Sequence, residues 1–264
     1  MKDAPESKLK KNIFRNLSSG AIQIGGVSKL DARPPSQDYI CKKNTIANNK
    51  IIGTGKDYFD TAAIFIGFSR ETEIINNTIV DVPWSGIAMG WGWGLFDQGS
   101  FPGLPGAVSG LWGEFPTPIV MAKNKIIKNQ ISNFLSVVWD GGAIYTTGQQ
   151  GPSSKEGALI AENVAFGKNH LSGGNTFYTD GGSRYITLHS NASYDNPTGI
   201  TYFGPAPNPL DPLPYPDYSI LNGFPYGSDT GGCVTYGDIK FIKNFWLNAN
   251  FFSVCPYTDC NGVS

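Results

Sequence analysis

The chain is patterned in short apolar runs separated by polar corners, and no helical period persists beyond a turn or two. The recurring unit is a short strand, an asparagine-rich corner and a second short strand. It reads YICKKNTIANNKIIG from Tyr39, TEIINNTIVD from Thr72, VMAKNKIIKNQIS from Val120, LIAENVAFGKNHLS from Leu159, ITLHSNASYDN from Ile186 and DIKFIKNFWL from Asp238. Further apolar runs follow: AAIFIG, SGIAMG, LSVVWD, NTFYTD and GITYFG. One unit cannot bury its inward face alone, so the pattern predicts coils that stack and share a core. Successive coils then pair in parallel about 4.8 Å apart, and asparagines at like corners form side-chain ladders. The predicted fold is all-β, a right-handed parallel β-helix in one domain over 1–264. A β-sandwich also uses short strands, but it would not repeat N-x-I/L at like corners. The opening MKDAPESKLKKN, residues 1–12, reads as a tail and a poor cap, so the chain also reads as a fragment of a longer enzyme.

Uneven spacing marks three insertions, and all three leave the coil at the same predicted corner. They are WGWGLFDQGSFPGLPGAVSGLWGEFPT, GGAIYTTGQQGPSSKEG and PAPNPLDPLPYPDYSILNGFPYGSDTGG. Stacked coils set like corners side by side, so these loops are expected to rise together as a wall on a rigid scaffold. The wall carries aromatics, Trp91, Trp93 and Trp112 among them, and exposed aromatic rings over a groove are platforms for sugars. Burial in the loops' own small cores is the alternative for some of them.

Composition narrows the partners. The formal charge is −1 over 264 residues, which argues against nucleic acid or an anionic membrane as partner. No apolar run approaches the ~20 residues of a membrane span. Cys41, Cys233, Cys255 and Cys260 include no CxxC pair, which argues against a zinc ribbon, and no metal or other cofactor is expected; Cys255 and Cys260 are close enough for a loop disulfide, with thiols that never pair as the equal alternative. Asn16, Asn76 and Asn191 stand in N-x-S/T frames, as chance alone produces in so asparagine-rich a chain.

Two acids end apolar runs and each meets two glycines: Asp140 in WDGGAIYTTG and Asp180 in YTDGGSRYIT. Aligning run ends gives Gly67, Gly90, Asp140 and Asp180, which predicts the two acids at one position on consecutive coils. Carboxylates that close repel, and catalysis uses such pairs: retaining glycosidases hold theirs about 5–5.5 Å apart, inverting ones about 6.5–9.5 Å. The competing role for each Asp is a turn cap before glycine. Trp84, Trp91, Trp93, Trp112, Glu114, Trp139, Tyr145, Tyr178 and Arg184 are the expected substrate contacts, Arg184 through a substrate carboxylate or by holding Asp180 ionised. His170 and His189 read as structural.

SGIAMGWGWG, WDGGAIYTTG and YTDGGS together resemble the right-handed β-helix glycoside hydrolases, in particular glycoside hydrolase family 141. The similarity runs from Pro83 to Ser183. It implies Asp140 and Asp180 as the catalytic pair, a plant-type polysaccharide as substrate and a secreted enzyme. The loop at 205–232 does not match the family. A polysaccharide lyase would need a base and clustered acids for calcium, and no cluster is visible beyond the pair. A polygalacturonase-type enzyme would carry G-H-G and R-I-K, which are absent. A non-catalytic carbohydrate-binding or adhesion β-helix is the alternative from another class. Oligomeric state is not legible.

Overall fold

The computed structural model describes residues 4–98, 115–169, 174–180, 183–194, 196 and 239–247. Within them the chain is a parallel β-helix. A first sheet of seven strands comprises Lys8–Lys10, Thr45–Ala47, Glu73–Ile75, Lys125–Ile127, Ala158–Ala161, Ile186–His189 and Ile239–Ile242. A second, also of seven, comprises Ile13–Arg15, Lys50–Ile52, Thr78–Val80, Gln130–Phe134, Val164–Lys168, Ala192–Tyr194 and Phe245–Leu247. A third, of five, comprises Ile22–Ile24, Ile64–Ile66, Ile87–Met89, Gly142–Thr146 and Asn175–Thr179. All strand pairings are parallel, with register Ile64↔Ile87↔Ile144↔Phe177 in the third sheet. The inward positions carry β-branched side chains that suit a half-buried pleat. Ile46, Ile51, Ile64, Ile74, Ile79, Ile87, Ile126 and Ile131 are fully buried in one continuous core.

The corner between the first and second sheets has one solution repeated in every coil. A residue of positive φ (Asn48, Asn76, Lys128, Glu162, Ser190) precedes an asparagine. Asn12, Asn49, Asn77, Asn129, Asn163, Asn191 and Asn244 then stack as a ladder. The backbone N–H and the side-chain amide of each donate to the next asparagine's Oδ1, at 2.9–3.0 Å. From Asn49 onward each amide also reaches a carbonyl one coil back, as Asn129 does to Ile74 at 2.9 Å. Buried polar groups are thereby satisfied at a sharp corner. Asn191 is 1 % exposed within this ladder, so its N-x-S frame is structural.

Two expectations are corrected. Residues 8–10 are not tail: Lys8–Lys10 pairs with Thr45–Ala47 as the first sheet's outermost strand. LSVVWD is not a strand either. Leu135 has positive φ, the N–H groups of Val137 and Val138 both donate to the Pro83 carbonyl, and Val137 is 50 % exposed. The strand is the next stretch, Gly142–Thr146. The first insertion does leave after a third-sheet strand, but the second as read from the sequence contains one, Gly142–Thr146, and only its remainder leaves the coil. The two are tied together: Gln149 donates from its backbone to Asp97 at 2.8 Å and from its side chain to the Gln98 carbonyl at 3.1 Å. The third insertion, the GITYFG run, His170, Cys233, Cys255 and Cys260 lie outside the described residues. Cys41 is a buried thiol that accepts from Asn44 at 3.3 Å.

Candidate active site

The outer face of the third sheet is built differently from the other two. Its outward register positions are Gln23, Phe65, Ala88, Tyr145 and Tyr178, a row with three aromatic rings. Tyr145 packs edge-on to Tyr178 at 5.4 Å between ring centres and against Trp84 at 5.3 Å. Above this row lies a groove of about 580 Å³ whose walls include Asp60, Phe65, Trp84, Trp91, Trp93, Asp140 and Tyr145. Trp91 and Trp93 stay 47 % and 40 % exposed there, so their faces are open to a ligand.

The W-G-W turn is strained to make this wall. Trp93 sits at φ 50°, a left-handed conformation that costs a bulky residue about 1–3 kcal/mol. It places the indole N–H 2.9 Å from Asp180 Oδ2. The Tyr145 hydroxyl donates a short hydrogen bond to the same oxygen. Burial, and then the Asp180 charge, push the Tyr145 phenol far up, so it stays a proton donor. Asp180 itself is buried beneath these two rings.

Asp140 stands at the groove's edge. Partial desolvation and then the charge of Asp180 raise its carboxyl above the ordinary value, while a hydrogen bond from Tyr178 opposes the rise. Its backbone carbonyl accepts from the Trp84 indole at 2.5 Å. The two glycines that follow serve packing. A side chain at Gly141 would run into the Trp84 ring and Ser85, and one at Gly142 into the Asn175 carbonyl on the next coil. The D-G-G motif therefore lets the chain pass close under Trp84.

The stacked alignment of the two acids does not hold. Thr146 pairs with Thr179, so the residue beside Asp180 is Thr147, and Asp140 lies at the opposite end of the neighbouring strand. The slip follows from reading LSVVWD as the strand. The acids still interact electrostatically, across the Tyr145–Tyr178 pair rather than by direct stacking.

The structure brings together Trp84, Trp91, Trp93, Asp140 and Tyr145 in the groove, with Tyr178 and Asp180 hydrogen-bonded to its edges. Trp139 is 41 % exposed, but neither it nor Arg184 is among the groove's walls. Arg184 bridges to Gln149 and lies 4.7 Å over the Tyr185 ring, facing Asp97. Trp112 and Glu114 lie outside the described residues. The sequence reading missed Asp60 and Phe65 as groove residues. Asp60 stands four residues before Ile64 as Asp140 stands four before Ile144, a match visible only once the strand is placed at Gly142. Among the described residues no group of three or more His, Cys, Asp and Glu gathers as metal ligands would. No helix among them is long and apolar enough to cross a membrane.

No family model matches the chain, so assignment to family 141 has no support from that comparison. No curated protein matches it either. A solved structure titled "Glycoside hydrolase" superposes with a TM-score of 0.62 at 18 % identity, over 100 % of this chain and 35 % of that one. This chain thus spans about a third of that neighbour, and the likeness at this identity is one of fold.

Proposed function

We propose that the protein is a glycoside hydrolase acting on plant-type polysaccharide, with Asp140 as general acid and Asp180 as the partner carboxylate. One observation carries the reading: an acid whose carboxyl is raised above its ordinary value by desolvation and by a second carboxylate, beside an open aromatic groove. Asp140 donates its proton to the leaving oxygen. Asp180, fixed at Oδ2 by Trp93 and Tyr145, serves as nucleophile or as base for water. Trp84, Trp91 and Trp93 carry sugar rings, and Tyr178 orients Asp140. With the acids no longer stacked one strand apart, the separation of their carboxyl groups decides between retention, at about 5–5.5 Å, and inversion, at about 6.5–9.5 Å. A family 141-like activity and secretion belong to the same proposal, carried by the three motifs and by the fold-level likeness.

The test is reducing-end release from neutral plant oligosaccharides by the whole chain and by Asp140→Asn and Asp180→Asn. Each variant is expected to lose roughly 10²–10⁴-fold in kcat with its melting temperature nearly unchanged. Proton NMR of the first product's anomer tells retention from inversion. Turnover that survives both substitutions removes the catalytic pair, and glycan binding with no turnover by the parent chain would favour a binding module.

A further inference from the structure

No lysine or arginine is among the groove's walls, although the chain has 20. Several serve the first sheet's side, where Lys43 pairs with Glu6 at 3.7 Å, Lys123 with Glu156 at 3.1 Å and Lys125 with Glu73 at 3.0 Å. The two arginines that face toward the insertions are already engaged. Arg33 donates to the Phe96 and Thr117 carbonyls and stacks 4.3 Å over Phe115, and Arg184 faces Asp97 from over Tyr185.

The groove is not short of acids. Asp60 and Asp140 both line it, on the coils either side of the one that carries Trp84, and Asp180 lies under it. A sugar ring on Trp84 therefore shares the groove with the Asp60 carboxylate and lies above Asp180. A uronate there would meet like charge with no lysine or arginine among the groove's walls to answer it, within about a Debye length in dilute salt. A catalytic site for acidic glycans requires the reverse, an arginine or lysine facing the carboxylate.

We infer that the groove selects sugar chains without carboxylate groups, and that Asp60 is a specificity-determining residue that rejects uronates next to the ring on Trp84. The inference rests on the groove being a glycan site and sharpens the substrate class.

The experiment measures binding by calorimetry, using the whole chain and two sets of oligosaccharides of equal length. One set is neutral (xylo-, manno-, gluco- and galacto-hexaose) and the other is hexagalacturonate, each in dilute and in concentrated sodium chloride. At least one neutral hexaose is expected to bind with little salt dependence. Hexagalacturonate should bind about tenfold or more weaker in dilute salt, with the gap narrowing in concentrated salt. Asp60→Asn should narrow the gap in dilute salt several-fold, by tightening hexagalacturonate binding more than it changes binding of the neutral hexaose. Hexagalacturonate binding as tightly as the best neutral hexaose overturns the inference. If Asp140 is then also needed to cut it, the hydrolase reading survives alone. A gap that Asp60→Asn leaves intact removes Asp60 from the selection. No binding and no cleavage of any glycan overturns both readings.

Discussion

The ladder corner between the first two sheets and the outer face of the third sheet are made from the same chain by opposite rules. At the ladder, each coil repeats its neighbour: a residue of positive φ, an asparagine, two amide bonds forward and one back. At the third sheet no two coils agree, and the residues break local rules, with Trp93 held left-handed and a carboxylate buried beneath two aromatic donors. Regularity is what stacking needs, because each coil's corner is the next coil's hydrogen-bond partner. Irregularity is what a site needs, because a ligand must meet different groups at different places.

The largest expected effect tests the first half of this contrast. Asn129→Ala, in mid-ladder, strands the Asn77 backbone N–H and amide and the Ile74 carbonyl in a buried corner. At about 1–3 kcal/mol for each orphaned group, partly relieved by relaxation, the loss should be roughly 3–6 kcal/mol in denaturant unfolding. Asn12→Ala, at the ladder's partly exposed outer end, removes an amide whose bonds run to Lys10 and Asn49, and should cost under about 1 kcal/mol. Equal losses at the two positions would mean that the ladder is not cooperative packing but a string of independent turns.

These rules also decide what could be read from sequence. The ladder was legible because asparagine recurs at each corner, and so the strands flanking it were placed. So were the third-sheet strands at AAIFIG, SGIAMG and NTFYTD. LSVVWD misled because an apolar run is a signal of burial, not of strand, and here the run is a turn that leaves Val137 and Trp139 exposed. That single slip moved Asp140 to the wrong end of its strand and implied a stacked pair with Asp180. The hydroxyl and indole donors on Asp180 were beyond reach, since they depend on Tyr145 and Trp93 converging from different coils.

An intermediate effect tests the second half of the contrast. Trp93→Gly places in the left-handed turn the residue that suits it, and should raise unfolding stability by up to about 1 kcal/mol through relieved strain, less what the lost ring contacts cost. The same change takes away a donor to Asp180 and a groove wall, so hydrolysis should fall roughly 10–100-fold. A variant that loses stability and activity together would show Trp93 to be packing first and site second.

The smallest effect lies where the two regions meet the loops. Asp97 is buried against the second insertion, accepting from the Gln149 backbone, with Arg33 and Arg184 nearby. Desolvation outweighs those three favourable partners and raises its carboxyl from 3.8 to about 7. The fold therefore binds this proton more tightly than the unfolded chain does, so Asp97 favours folding in acid. Its contribution declines as pH rises above the unfolded value, 3.8, and levels off beyond about 7. Between about pH 6 and about pH 8 the decline amounts to about 1.4 kcal/mol, a few degrees in melting temperature for a chain of this length. Asp97→Asn keeps an oxygen for the Gln149 N–H and has no proton to lose. The pH dependence of its melting temperature should be flatter than the parent's over that interval, by about that amount. Parallel curves would mean that Arg33 and Arg184 already hold Asp97 ionised, and the tie between the two insertions would then be a charged clamp instead of a neutral one.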